Sequence, residues 1–537
     1  ARGQVTASCQ IDPTNSTAMA YVCGSATNAP TGVRQSTTAY CEQADITSGT
    51  CPMIGLAISS NGPRTDVSDI TTLTYRQTDE ASCATSPTTC TYRKGDLWKV
   101  TNALNQTSET LVYDGAGRPL SMKDANNVIA DMEYNARGWL TARKTRGSDN
   151  ASETDDVITR MEYDAAGLVS KVTQADGDFI NFNYDAAHRL TGISDALNNS
   201  ITYILDNAGN REVEKTNDSG DNLTRNLSRV YDTLGRLQAS KNAANTTLAT
   251  LAYDANDNLD TSTDALNRVV DQDVDPLNRL IKTIQDKGTG KINATTQFSY
   301  DARDNLTKVI DPKNLNTVYT YNGLNDLTSL SSPDTGATSY TYDAAGNRKS
   351  QTDAKLMVSN YSYDVLNRLT QVSYPSASGL TSSYVYDTVN AICGAGENFA
   401  KGRLTQLTDP SGNTQYCYDR FGNMTRKQVT NNALVSTLLF SYTKAGRISS
   451  ITYPSGMVVN YARNGLGQTI QVTVTQSGMT KTLVDNVDYL PFGPLKQLSF
   501  PVPAGGSAPS PLTQTRNYDA DYAIQSVGGL TYSVDVL

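Results

Sequence analysis

A chain of 537 residues with 38% hydrophobic content, only 8 Phe and 2 Trp lacks the aliphatic material to fill several thick globular cores, and suits thin walls of sheet wetted on one or both faces. A net charge of −9 with no Lys/Arg-rich run argues against a nucleic-acid surface. Disorder is also disfavoured, because the net charge is small and apolar residues recur at fixed spacing, and no stretch approaches the roughly 20 apolar residues of a membrane-spanning helix.

Residues 1–30 are polar and rich in Thr, Ser and Asn, with no visible signal peptide. The segment 1–95 holds six of the 8 cysteines. By proximity in sequence the eight fall into four pairs, Cys9/Cys23, Cys41/Cys51, Cys83/Cys90 and Cys393/Cys417. None has the C-x2-C spacing of a zinc site, and a single His is available as another ligand. Local disulfides are the preferred reading, free buried thiols the alternative, and bridges would place maturation in a periplasm or outside the cell. The segment reads as a Cys-rich N-terminal extension of the repeats that follow.

From 96 to about 500 one unit recurs: apolar-x-Tyr-Asp-x-x-Gly-(Asn/Arg)-Leu. Clear copies begin at Tyr113-Asp114 with Gly117, Tyr163-Asp164 with Gly167, Tyr231-Asp232 with Gly235, Tyr342-Asp343 with Gly346, and Tyr418-Asp419 with Gly422. Eighteen slots can be aligned, with 21 residues the commonest step and longer steps reading as loop insertions. Leu205 and Val274 fill the Tyr slot in two copies, so the slot reads as wanting an apolar body. Pairs such as Tyr319/Tyr321 and Phe298/Tyr300 alternate at period two, which puts them on one face of a strand.

Four residues past the slot stands Gly in ten copies, Gly465 after Tyr461 and Gly493 after Tyr489 among them, and otherwise Asn (278, 325, 367, 390), Asp (257, 304), His188 or Tyr522. Gly, Asn, Asp and His best tolerate positive φ, so a type I turn plus bulge is expected there, with Tyr522 marking an irregular last copy. Asp follows the slot in thirteen copies and can start the turn through its side chain. Asp311-Pro312, Ser332-Pro333 and Asp409-Pro410 punctuate the opposite end, so each unit holds two strands and two turns. About 36 strands at about 4.8 Å each would make a ribbon some 170 Å wide. Accumulated twist and exposed edges forbid a flat sheet of that width. The expected fold is all-β: YD-repeat hairpins in a spiralling antiparallel sheet that forms a hollow, barrel-like or cocoon-like shell. Residues 501–511 read as an exposed Pro/Gly/Ser loop, and 512–537 as the final repeat.

Chemistry is sparse. His188 occupies the turn slot usually held by Gly, with no nucleophile or orienting partner to complete a triad. No G-x-S-x-G, H-E-x-x-H or phosphate-cradling loop occurs. Asp271, Asp273 and Asp275 share one strand face and could attract Ca²⁺, but Asp275 is explained by its turn, and solvated carboxylates are the preferred reading. No catalytic, cofactor or metal residue is assigned, and the chain is read as not an enzyme. Paired aromatics could bind sugars, although packing explains them as well.

The repeats resemble the Rhs/YD-repeat family, which spans bacterial Rhs toxins, wall-associated proteins, toxin-complex shells and teneurins, over Tyr92 to Asp519. The resemblance implies a hollow cocoon, often with a C-terminal toxin inside. The core-associated segment and toxin of bacterial relatives are not found by Leu537. The implied function is a shell of a secreted or surface bacterial protein that encapsulates and delivers a toxin. A cargo-free wall-associated adhesin or assembly subunit is the alternative, with self-association or a cell-surface glycan as its partner.

Overall fold

Short alternating segments closed every ten residues or so by Asx or glycine turns can only pair with their sequence neighbours, and they do. The computed structural model describes residues 3–25, 29–86, 89–148, 152–501, 512–528 and 530–531; apart from Pro501, the loop expected at 501–511 lies outside them. Among the described residues forty-two strands run from Ala7–Ile11 to Leu530–Thr531, most of them five to seven residues long. Each pairs antiparallel with the next, so the described chain is one continuous meander. Two short helices, Ser16–Met19 and Gln43–Thr47, lie inside turns.

The register slips by one residue at the slot, for example between Thr341 and Tyr342 and between Ser362 and Tyr363, which is the expected bulge. Leu205 and Val274 carry the same slip. All strand ends after the slot form what we term the YD end of the ribbon, and the opposite turns form the far end.

Residues 1–95 continue this ladder. Tyr40 and Tyr75 stand at bulges of the same kind. The turns that follow close with the usual pair of backbone bonds, Cys41 N to Leu56 O (2.7 Å) with Gly55 N to Cys41 O (2.9 Å), and Arg76 N to Asp96 O (2.9 Å) with Gly95 N to Arg76 O (3.0 Å). Only the turn length differs. The bridge Cys41–Cys51 lies in the first of these enlarged turns and Cys83–Cys90 in the second. Cys393–Cys417 ties a third enlarged turn, after Tyr386, to the neighbouring strand. Cys9–Cys23 fastens a far-end loop.

The ribbon coils onto itself. Side chains 267 to 303 residues apart meet repeatedly, from Arg34 with Asp326 near the start to Thr224 with Tyr522 near the end. In each case a YD-end turn of the second lap sits on a far-end turn of the first. A lap therefore holds roughly 23 strands, or about 110 Å of circumference and about 35 Å of diameter at about 4.8 Å per strand.

The wall is one sheet thick. The fully covered apolar side chains are mostly Ala and Cys, with Val33, Val128, Tyr75 and Tyr113. The accessible surface is 29365 Å², whereas a compact protein of 57.8 kDa would expose about 19,000 Å². The excess is what a hollow wall with two wet faces requires.

Candidate functional site: the turns and seam of the wall

The repeated turn is the most elaborate chemistry in the molecule. At Asp343, the backbone N–H donates to Asn347 O (2.9 Å), and Gly346 N–H returns a bond to Asp343 O (3.1 Å). The Asp343 carboxylate accepts from Ala345 N–H (2.9 Å), Asn347 N–H (2.8 Å) and the Asn347 side-chain amide (2.9 Å). Gly346 has φ +88°, the left-handed conformation that side chains resist. Gly117, Gly167, Gly235 and Gly422 share it. Asp114, Asp164, Asp232 and Asp419 accept the same backbone bonds.

The slot tyrosine does more than supply an apolar body. Its hydroxyl donates to a backbone carbonyl of the preceding repeat: Tyr113 to Leu97 O (2.6 Å), Tyr163 to Leu140 O (2.8 Å), Tyr231 to Arg211 O (3.1 Å), Tyr342 to Leu327 O (2.8 Å), Tyr418 to Leu404 O (2.6 Å). Burial pushes the hydroxyls of Tyr113, Tyr342 and Tyr418 above their ordinary pKa, which keeps the donor protonated. The Arg or Asn after the turn glycine links forward. Arg236 grips Asp232 and reaches Asp257 of the next repeat (2.5 Å), with its guanidinium 4.6 Å over the Tyr253 ring. Asn347 does likewise, between Asp343 and Asn367. Sequence reading missed these lateral bonds, although the Arg/Asn preference at that position was their trace.

Four slots differ from expectation. Asn464 and Gly467 form the turn assigned to Tyr461, so Arg463 is the slot residue there and donates to Ile448 O (2.6 Å). Asn390 is not left-handed; Asp387 and Gly402 are, because 388–402 is an insertion. Phe492 (φ +47°) takes the role expected of Gly493. Tyr522 has φ +65° in a regular turn, held by its hydroxyl, which donates to Pro491 O and lies in hydrogen-bond contact with the Thr224 hydroxyl.

The seam between laps is polar. Arg34 meets Asp326 (2.7 Å), and the buried Arg64 guanidinium donates to Asp364 O (2.9 Å) while holding Asp66. Arg447 pairs with Asp176 and Asp178 at 3.0 and 2.8 Å. Burial alone would raise the Asp176 carboxyl, but bonds from Thr443, Ala445 N–H and Arg447 outweigh it and hold the group below its ordinary range.

Among the described residues no constellation for catalysis emerges. His188 has φ +65°, and its side chain is exposed, with no hydrogen bond among the described residues. Asp271, Asp273 and Asp275 each have their own cation, Lys287, Lys282 and Arg279, so they do not converge on a shared ion. Among the described residues the one group with metal-ligand proximity is Glu80, Cys83 and Cys90, whose sulfurs are spent in a disulfide. Trp139, one of the chain's two tryptophans, has Arg137 over its ring and packs against Tyr163 and Gly167. The signature residues form a ladder along one edge and never a single pocket. No helix is long and apolar enough to cross a membrane among the described residues.

Comparison with known proteins agrees with this geometry. The family model for the teneurin YD-shell matches residues 80–213 and 211–395, and that for the RHS repeat matches 400–433. No curated protein matches the chain at a significant level. Among solved structures it resembles TcdB2-TccC3, at 12% identity over 92% of this chain and 28% of that one, with a TM-score of 0.61. The form of TcdB2-TccC3 without its hypervariable C-terminal region gives 11% identity, coverage of 92% and 32%, and a TM-score of 0.65. A Photorhabdus luminescens Tc holotoxin pore gives 12%, coverage of 93% and 30%, and 0.54. The chain thus spans about a third or less of the solved chains it matches, and at such identity the likeness is one of fold.

Proposed function

This chain belongs to the YD-shell family of Rhs/YD-repeat proteins, and from that premise we propose that it walls a secreted or cell-surface compartment enclosing a polypeptide cargo, a toxin of the same precursor. Its structural role as a shell carries no catalytic machinery of its own. In this reading residues 1–95 are the Cys-rich opening of that wall, 96–500 its YD-repeat body and 512–537 its final repeat, beyond the Pro/Gly/Ser-rich segment 501–511. The observation that carries the reading is the excess of accessible surface: a single sheet lapped on itself, wet on both faces. Four disulfides among eight cysteines support assembly in an oxidising compartment.

Particle images of native material test it. Ring-shaped cross-sections of the expected diameter with separate density inside the wall support enclosure, and flat ribbons or solid particles with no wall distinct from the interior would sink it. A second reading, a cargo-free adhesin or assembly subunit at the bacterial surface, is favoured by the disulfide-held turns 41–56 and 76–96, which are displayed at one rim. Empty rings from native material would select it.

A further inference from the structure

Along most of the wall a guanidinium meets its carboxylate closely: Arg118, Arg236, Arg279 and Arg368 each close on the aspartate of their own turn at 2.6 or 2.7 Å. On the neighbouring strands 211–217 and 223–231 three arginines instead share one carboxylate at longer range. Glu214 stands 3.3 Å from Arg211, 3.3 Å from Arg225 and 3.7 Å from Arg229. Among the described residues the three make no other ion pair, and the Arg229 side chain makes no hydrogen bond. Its Nη1 and the Nε of Arg225 are buried without a partner. Tyr203 and Leu227 pair opposite Glu214, so alternation puts Arg225, Arg229 and the slot residue Tyr231 on the same face of the sheet. The Tyr203 ring lies 3.6 Å from the Arg211 guanidinium and supports it. Leu205, Arg211, Arg229 and Tyr231 line an open hollow of about 510 Å³. Strands 200–205 and 237–241 are hydrogen-bonded to the pair on either side, so the hollow opens on the face of the wall.

Three guanidiniums against one carboxylate leave two positive charges in excess, crowded where they repel one another. A half-covered guanidinium without a hydrogen-bond partner costs free energy that a ligand oxygen would restore. We infer that Arg211, Arg225 and Arg229 form a binding site for a dianionic phosphate group, either inorganic phosphate or a phosphomonoester. A dianion neutralises the excess charge, whereas a lone carboxylate leaves half of it. Guanidinium groups also present paired N–H donors that match phosphate oxygens. Glu214 holds the three arginines together in the free protein and competes with the ligand for them. The site requires neither a cargo nor a closed compartment, so it stands or falls separately from enclosure.

Isothermal titration of the full chain with sodium phosphate, at low ionic strength and with circular dichroism to confirm folding, tests it. The wild type is expected to bind one phosphate saturably, and sodium acetate at least about tenfold more weakly. Arg211→Gln and Arg229→Gln should each weaken phosphate binding about tenfold, while Arg160→Gln on the opposite face leaves it unchanged. Glu214→Gln removes the competitor and should tighten it; should that variant fail to fold, the two arginine variants decide. Glycerol phosphate separates the sources: affinity equal to that of inorganic phosphate supports a phosphomonoester, and binding of inorganic phosphate alone supports the free anion. The absence of saturable phosphate binding overturns the proposal. So does a folded Arg229→Gln variant that binds phosphate like the wild type, or acetate binding as tight as that of phosphate.

Discussion

The hairpins of 7–101 and those of 306–373 obey the same closing rule with opposite means of holding the turn. Both put a tyrosine at a bulge, and in both its hydroxyl reaches back to the previous repeat: Tyr75 to Ala57 O (2.7 Å) and Tyr342 to Leu327 O (2.8 Å). In the regular repeats a five-residue turn is organised by a carboxylate that accepts three hydrogen bonds. In the early ones that residue is Cys41 or Arg76, no such carboxylate is present, and a disulfide inside a longer loop constrains the chain. Turn length is thus free as long as the two closing backbone bonds survive, and a covalent staple can replace Asx chemistry.

The largest separation between the two regions should come from Cys41→Ser/Cys51→Ser and Cys83→Ser/Cys90→Ser. Each lost bridge should cost about 2–3 kcal/mol locally, and hydrogen exchange should quicken in 42–54 and 77–94 while 306–373 is unchanged. Next, Asp343→Ala removes the acceptor of three bonds and should cost about 2 kcal/mol, read by denaturant midpoint, whereas Arg76→Ala leaves its turn closed. Gly346→Ala should cost about 1–2 kcal/mol through its left-handed backbone, and its new Cβ would stand 3.0 Å from the Arg34 guanidinium across the seam. Tyr342→Phe and Tyr75→Phe should each cost about 1 kcal/mol; unequal effects would show that the two regions do not share the hydroxyl link.

Acid gives the smallest effect. The Arg236 backbone N–H leads the interactions that hold Asp232 below the ordinary 3.8, and the Asn258 side chain leads for Asp254. Depressed carboxyls add stability above the unfolded value that is lost as pH falls through the folded one. Exchange in the regular turns should therefore rise below about pH 3.8, while the disulfide-held turns lag.

The ladder, its bulges and the coiling were legible because each is imposed by local spacing: period-two alternation, Asp after the slot, and a residue tolerant of positive φ. A fixed offset from tyrosine fails at the Tyr461, Tyr386 and Tyr518 copies, because in them the slot has passed to Arg463, an insertion displaces Asn390, or the Tyr522 ring itself takes the left-handed position. Tyr40 and Tyr75 were missed because enlarged turns erase the offset altogether. The seam was invisible for a different reason. Its partners lie 267 to 303 residues apart and have no shared motif, so only coiling radius and strand tilt bring Arg447 to Asp176.

The seam also gives the wall an unusual mechanical grain. Strand pairing runs unbroken from one end of the ribbon to the other, while the laps touch only turn by turn, through ion pairs and single hydrogen bonds. Load applied across the laps meets the weaker set first. The shell would uncoil like a stretched coil spring, opening a helical slit around the wall as successive turns let go, with every hairpin still folded.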